Sequence, residues 1–442
     1  MKVLKFGGTS VGSPERIRHV ANLIRQSGRN IVVLSAMSGT TNTLVEIADY
    51  LYKRNIPGAQ DTINQLRAKY QGVVNELYSS DDTKARINEK LERTFQVLTH
   101  FTSCEFTAAE EKEILACGEL ISTTLMQGYF EEIGVRSVLI PALDYMRTGE
   151  GGEPDMKYIS TRLNRLLALE PDAEVWLTQG YICRNAYGEI DNLRRGGSDY
   201  SASLIGAVLN VEEIQIWTDI DGMHTGDPRI VQHTRPVKQL HFEEAAELAY
   251  FGAKILHPTC VLPAKLHNIP VRLLNTLDPE AQGTVIANFP PDGTIKAVAA
   301  KDNITAIKIK SGRMLLAYGF LHKVFETFNR FNTAIDMMAT SEVGVSVTID
   351  NTQHLAAIVD ELKHFGTVTV DSDMVIVCIV GNINSDSNSR FCAQAVEALE
   401  DIPVRMISYG GSNYNISMLI RACDKQRALN KLNEHLFEQN HG

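Results

Sequence analysis

The alternation of apolar and polar positions organises the first 36 residues. Val3, Leu4 and Phe6 fall within a short stretch, Lys2–Phe6, that reads as a strand. Ser13 is placed to cap a helix and Pro14 suits its first position. Ile17, Val20, Ala21 and Ile24 then recur at i, i+3, i+4 and i+7, one face of a helix that Gly28 would stop. Ile31–Leu34 is apolar throughout, as in a parallel strand buried on both faces. Strand, helix, strand is a βαβ unit and predicts an α/β fold.

Residues 46–132 read as mostly helical. Strands are expected at 135–141, 174–179, 212–219 and 270–274, and a helix at 242–251. Pro290-Pro291-Asp292-Gly293 is a turn or linker signal, and shorter elements are expected beyond it. The tail holds a weak repeat. Val345–Ile349 and a helix ending at His364-Phe365 resemble Ile416–Ile420 and a helix through His435–Phe437. An offset of about 71 residues suits two copies of one small α+β module.

Composition narrows the class. The chain has 442 residues, enough for two or three domains, with 44% apolar and 22% charged residues. A net charge of -10 argues against a non-specific nucleic-acid binder but leaves room for a local basic pocket. The seven cysteines are scattered without a C-x-x-C pair, which fits free thiols in a reducing compartment. No signal-like segment or run of about 18 apolar residues is apparent, so the cytoplasm is expected.

Three motifs bear on chemistry. Lys5-Phe6-Gly7-Gly8-Thr9-Ser10 puts paired glycines between a strand and a helix, beside a lysine. This fits an anion site built from backbone N–H groups, and equally a tight turn; no Walker loop or G-x-G-x-x-G is present. Arg194-Arg195-Gly196-Gly197-Ser198-Asp199 repeats the arrangement ahead of a second helix, with Asp199 either functional or a simple cap. Thr218-Asp219-Ile220-Asp221-Gly222 and Asp227-Pro228-Arg229 follow a strand, with Lys254 beyond in Gly252–Pro258. They fit turn formers or a nucleotide site at the carboxyl end of a parallel sheet.

These motifs, with Ser35–Asn42, Cys117-Gly118-Glu119 and Gln179-Gly180, occur in the order found in aspartokinases, and the whole chain resembles the monofunctional, lysine-sensitive type. The resemblance implies an α/β amino-acid kinase fold, a mainly parallel sheet between helices, over 1–290. Two α+β, ferredoxin-like ACT modules would follow at 303–373 and at 295–302 plus 374–440. It implies ATP-dependent phosphorylation of the side-chain carboxylate of L-aspartate, with Mg2+ carried by the phosphates and no protein metal ligand.

By the same resemblance Lys5, Arg195 and Asp199 are catalytic, and Ser35, Thr41, Glu119, Tyr181, Arg195, Ser198 and Asp199 help seat aspartate. Lys5, Gly7, Gly8, Thr218, Asp219, His224, Asp227, Arg229 and Lys254 would hold ATP, His224 standing where relatives often have tyrosine. Met314, Gly319, Phe320, Leu321, Asp336, Thr340, Ser341 and Glu342 would form an effector site for lysine, or secondarily threonine, with Ala317 where relatives tend to have serine. A homodimer through the ACT modules is expected, with no nucleic-acid or membrane partner. Another amino-acid kinase, or a non-catalytic amino-acid sensor, is the alternative.

Overall fold

The computed structural model describes residues 1–193, 196–252, 258–290, 292–310, 319–382 and 388–438. They form two compact units, Met1–Gly222 with Leu256–Asn288, and Met223–Ile255 with Phe289–Gly442. No helix among the described residues is long and apolar enough to cross a membrane.

The first unit opens with β1 (Lys2–Phe6), α1 (Pro14–Gln26), β2 (Asn30–Leu34), α2 (Thr40–Tyr52), α3 (Ile56–Leu77), α4 (Asp81–His100) and α5 (Ala108–Glu132). It continues with β3 (Ser137–Leu139), α6 (Met156–Leu169), β4 (Val175–Gln179), the hairpin β5 (Ile182–Arg184) and β6 (Ile190–Asn192), α7 (Gly197–Leu209) and β7 (Ile214–Thr218). After β8 (Gln239–His241) and α8 (Phe242–Tyr250) of the second unit, the chain returns as α9 (Pro258–Leu266), β9 (Val271–Asn275) and β10 (Thr284–Ala287).

Within this unit the strand order is β3-β4-β2-β1-β7-β9-β10. All neighbours are parallel except β10, which runs antiparallel to β9. The expected face of α1, Ile17, Val20, Ala21 and Ile24, is buried, and Ser13 Oγ caps the helix by accepting from Arg16 N–H. All five residues of β2 are buried, as both-face coverage requires. Register puts Phe6 beside Leu34 and Trp217, and Leu34 beside Gln179. Gly7, Ser35, Gly180 and Thr218 therefore leave the sheet at one edge, where ligands bind in such folds.

The second unit holds β8, α8, β11 (Ile295–Lys310), α10 (Phe320–Arg330), β12 (Met338–Ser341), β13 (Gly344–Ile349) and α11 (Leu355–Leu362). It ends with β14 (Thr367–Gly381), α12 (Asn388–Ala398), β15 (Met406–Ser408), β16 (Asn415–Arg421) and α13 (Lys425–Asn433). Its six-stranded antiparallel sheet runs β12-β13-β11-β14-β16-β15.

Two elements differ from expectation. Instead of shorter strands after the turn, β11 has 16 residues and β14 has 15, because each serves two halves laid end to end. One half packs Ile307, Ile309, Val345 and Val347 against α10 and α11; the other packs Val298, Val377, Ile416 and Met418 against α12 and α13. Asn303 and Asp373 take left-handed backbone (φ 59° and 56°) where the halves meet, and the β11–β14 register shifts there.

Residues 223–252, expected within 1–290, pack with the tail. Val298 N–H donates to Thr225 O at 2.8 Å, Thr225 Oγ1 bonds Asn433 at 3.1 Å, and Ser412 Oγ donates to Glu247 Oε1 at 2.6 Å. Val231 joins the apolar cluster around Val298 and Val375. These partners lie far along the chain, so no local pattern announces them.

Candidate active site

The loop after β1 turns its carbonyls into the protein. Gly7 O accepts from Ser10 N–H at 3.0 Å, Gly8 O from Ser38 N–H at 3.0 Å, and Thr9 O from Gly12 N–H at 3.3 Å. Among the described residues no acceptor meets the N–H groups of Gly8 and Thr9. Such outward amides make an anion site. Gly8 is held so close that a Cβ there would lie 2.6 Å from Ala36 O. Ser10 is buried against Thr276 (Oγ···Oγ1 3.1 Å) and holds the loop rather than a ligand.

Two helices start at the same place. α2 follows Gly39 (φ 81°) and α7 follows Gly196 (φ 94°); neither has a side-chain cap. Thr40 N–H at the start of α2 donates to Met37 O at 3.0 Å, but among the described residues the amides of Thr41 and Asn42 in α2 and of Gly197 and Ser198 in α7 are left for a ligand, with the positive ends of both helix dipoles. Thr41 and Asn42 of α2, Gly197 and Ser198 of α7, and Gly8, Thr9, Ser35–Gly39, Glu119 and Tyr181 line one cleft of about 510 Å³. The first turn of α2 contains no acid.

Asp199, in the first turn of α7, faces Lys5 with Oδ1 2.6 Å from Nζ, and both side chains are mostly buried. A lysine ammonium with one acidic partner keeps donors to spare for an incoming anion. Glu119 of α5 is 5% exposed and accepts from Ala36 N–H at 3.1 Å. Burial pushes its carboxyl up to about 7, partly offset by that N–H group and by the Lys5 charge. Tyr181 sits in left-handed backbone (φ 67°), fixed by its N–H to Ser201 Oγ at 2.9 Å and by Leu193 N–H to its carbonyl at 2.7 Å. Burial raises its phenol to about 12. Non-glycine strain of this kind collects at functional sites.

The structure therefore brings Gly8, Ser35, Thr41, Glu119, Tyr181 and Ser198 to one cleft. Lys5 pairs with Asp199 at the end of β1, beside Gly7, whose N–H donates to Trp217 O. Thr218 ends the neighbouring strand β7 and Asp219 follows it, both outside the cleft lining. His224, Asp227 and Arg229 belong to the second unit. There Arg229 holds Asp227 with two side-chain bonds (2.9 and 2.8 Å), and His224 Nδ1 lies 3.2 Å from Thr234 Oγ1. Arg195, Lys254 and Met314 lie outside the described residues.

Of the expected effector residues, Gly319 caps α10 with φ 83°, Phe320 is buried and Leu321 exposed. Thr340 and Ser341 lie on the edge strand β12, exposed like Glu342. Asp336 is not a solvated loop acid. Its carboxylate, 1% exposed, meets Lys301 Nζ at 2.6 Å and accepts from Tyr250 O–H at 2.9 Å.

Sequence reasoning did not single out Thr9, Ala36–Gly39 and Asn42 as lining residues. The available signal was Gly39, a glycine directly before a helical pattern without an acid in its first turn. Among the described residues no group of three or more His, Cys, Asp or Glu is arranged for a metal ion.

The cleft offers open amides from the glycine loop and from two helix starts, and a buried carboxyl suited to an ammonium, while the lining residues Gly8 and Ser198 lie close in sequence to the buried Lys5–Asp199 pair. The comparisons agree with that chemistry. The amino acid kinase family matches residues 1–275 and an ACT domain matches 377–436. Aspartokinase 3, chloroplastic, of Arabidopsis thaliana is 34% identical over 99% of this chain and 81% of its own. Lysine-sensitive aspartokinase 3 of Escherichia coli is 32% identical over 99% of both chains. The crystal structure of E. coli aspartokinase III with aspartate and ADP superposes with a TM-score of 0.84 at 32% identity, covering 99% of this chain and all of the other. With the kinase fold, the ACT tail and full-length identity in agreement, the chain belongs to the aspartokinase family.

Proposed function

We propose that the Lys5 cleft moves the γ-phosphoryl group of ATP onto the side-chain carboxylate of L-aspartate, giving ADP and 4-phospho-L-aspartate. The observation that carries this assignment is the Lys5–Asp199 pair beside two uncapped helix starts and an open glycine loop. An aspartate side chain has a pKa of about 3.9, so the nucleophile needs no base; the obstacle is repulsion between two anions. Catalysis is then neutralisation and alignment.

In this reading Lys5 and the Gly8 and Thr9 amides stabilise the transferring group, and Asp199 orients Lys5. Arg195, Thr41 and Ser198 hold the carboxylates of aspartate, while Glu119 attracts its ammonium group, with Ser35 and Tyr181 closing the seat. Thr218, Asp219, His224, Asp227, Arg229 and Lys254 take the nucleotide. Mg2+ enters on the ATP phosphates, retaining much of its water.

The tail reads as two ACT modules, 303–373 and 295–302 with 374–440, that sense an amino acid. The lysine sensitivity of the E. coli relative and the exposed Thr340-Ser341-Glu342 edge support lysine as effector. A homodimer through these modules and a cytoplasmic site complete the reading; seven free cysteines support the latter.

The test is acyl-phosphate trapping. With ATP, Mg2+, aspartate and hydroxylamine, the purified protein should yield aspartyl hydroxamate in step with ADP. ADP release with glutamate or carbamate but not aspartate would assign another amino-acid kinase. Amino-acid binding without ADP release would assign a sensor.

A further inference from the structure

The β1–α1 loop presents its amides only while its carbonyls stay turned away. Gly7 and Gly8 each have one good acceptor bond, but the Gly12 N–H to Thr9 O contact is long at 3.3 Å. A second donor reaches that carbonyl: Arg16 Nη1, at 2.7 Å. Arg16 is the third residue of α1, and its own N–H is already used in the Ser13 cap. A cation in the first turn opposes the helix dipole. Among the described residues Arg16 forms no ion pair with a carboxylate that would offset this. Its bond to Thr9 is what the side chain gains.

We infer that Arg16 is a positioning residue for phosphoryl transfer: its guanidinium holds the Thr9–Ser10 peptide with the carbonyl turned away from the cleft, so that the Ser10 N–H keeps its grip on Gly7 O and the Gly8 N–H stays aimed at the cleft. This rests on the assignment of the Gly7–Thr9 loop to the transferring group. Amides that meet charge developing in the transition state raise turnover rather than substrate affinity. Aspartate is seated elsewhere, by α2, α7 and Glu119.

Arg18, one half-turn on, supplies a control. Its Nη2 donates to Leu77 O at 3.3 Å, bracing α1 on α3 away from the loop. The full-length Arg16→Ala, Arg16→Lys, Arg18→Gln and Lys5→Met variants are compared for kcat, KM for aspartate and Tm. Arg16→Ala should lose about tenfold in kcat with KM for aspartate unchanged. Arg16→Lys should recover part of the loss, and millimolar guanidinium should raise kcat of Arg16→Ala alone. Arg18→Gln should match Arg16→Ala in Tm but keep kcat. The inference is overturned if Arg16→Ala turns over normally, if Arg18→Gln loses as much kcat, or if neither lysine nor guanidinium restores activity. Normal turnover by Lys5→Met would instead overturn the assignment of the loop itself.

Discussion

Lys5 and Glu119 are the two buried charges on which the cleft depends, and they ask different things of it. Lys5 Nζ is held by a single carboxylate oxygen of Asp199, so replacing it removes charge where an anion must arrive. Lys5→Met should lower kcat by about a thousandfold or more while leaving the far-UV circular dichroism spectrum unchanged; kcat within a few-fold of wild type would remove Lys5 from the mechanism. Glu119 is set by burial, which raises its carboxyl to about 7. If its ionised form holds the substrate ammonium, as proposed, KM for aspartate should fall about tenfold per pH unit on approach to 7 and level off above it. Glu119→Gln should give a high KM that does not change with pH. The sign for stability is opposite. The folded chain binds this proton more tightly than the unfolded one, so stability is lost as pH rises from 4.5 through about 7. Glu119→Gln should match wild-type Tm below that window and exceed it above. Lys5 was legible because strand, glycine pair and lysine are contiguous. The environment of Glu119 was not, because its partner Ala36 lies 83 positions away.

At the scale of elements, the cleft is a consequence of glycine where backbone must approach backbone. A Cβ on residue 8 would lie 2.6 Å from Ala36 O and force apart the loops after β1 and β2. Gly8→Ala should therefore cost about 1–3 kcal/mol of stability and lower kcat about a hundredfold, read by urea unfolding and initial rates. Unchanged kcat would mean that the loop tolerates the separation. The β1–α1–β2 unit could be read from sequence because each signal is local: a cap, a helical face, a fully apolar strand. The lengths of β11 and β14 could not. Asn303 and Asp373 interrupt them where the apolar clusters change over, so no continuous local pattern marks their full length. The packing of 223–252 on the tail was equally hidden, since Thr225 meets Asn433 across 208 positions.

At the scale of the whole molecule, the remaining issue is control. The sequence marks the tail as a duplicated module but says nothing of what Asp336 touches. In the structure Lys301 lies between Asp336 at 2.6 Å and Asp350 at 2.9 Å, with its ammonium 4.4 Å from the centre of the Tyr250 ring. An effector cation seeking Asp336 meets an internal lysine already in place, whereas Glu342 on the exposed edge is open to solvent. The two acids should then separate in one experiment. Lysine should inhibit the wild-type initial rate in a saturable titration. Glu342→Gln should shift half-inhibition about tenfold upward with Tm unchanged, as expected for loss of one surface-accessible charge contact. Asp336→Asn should leave half-inhibition nearly unchanged, since Lys301 already occupies that carboxylate, but at a cost of about 3 kcal/mol in stability, because it leaves Lys301 with only its more exposed partner Asp350. A rate indifferent to lysine in all three proteins would reject lysine as effector. Inhibition that survives both substitutions would place the effector on residues other than these two acids.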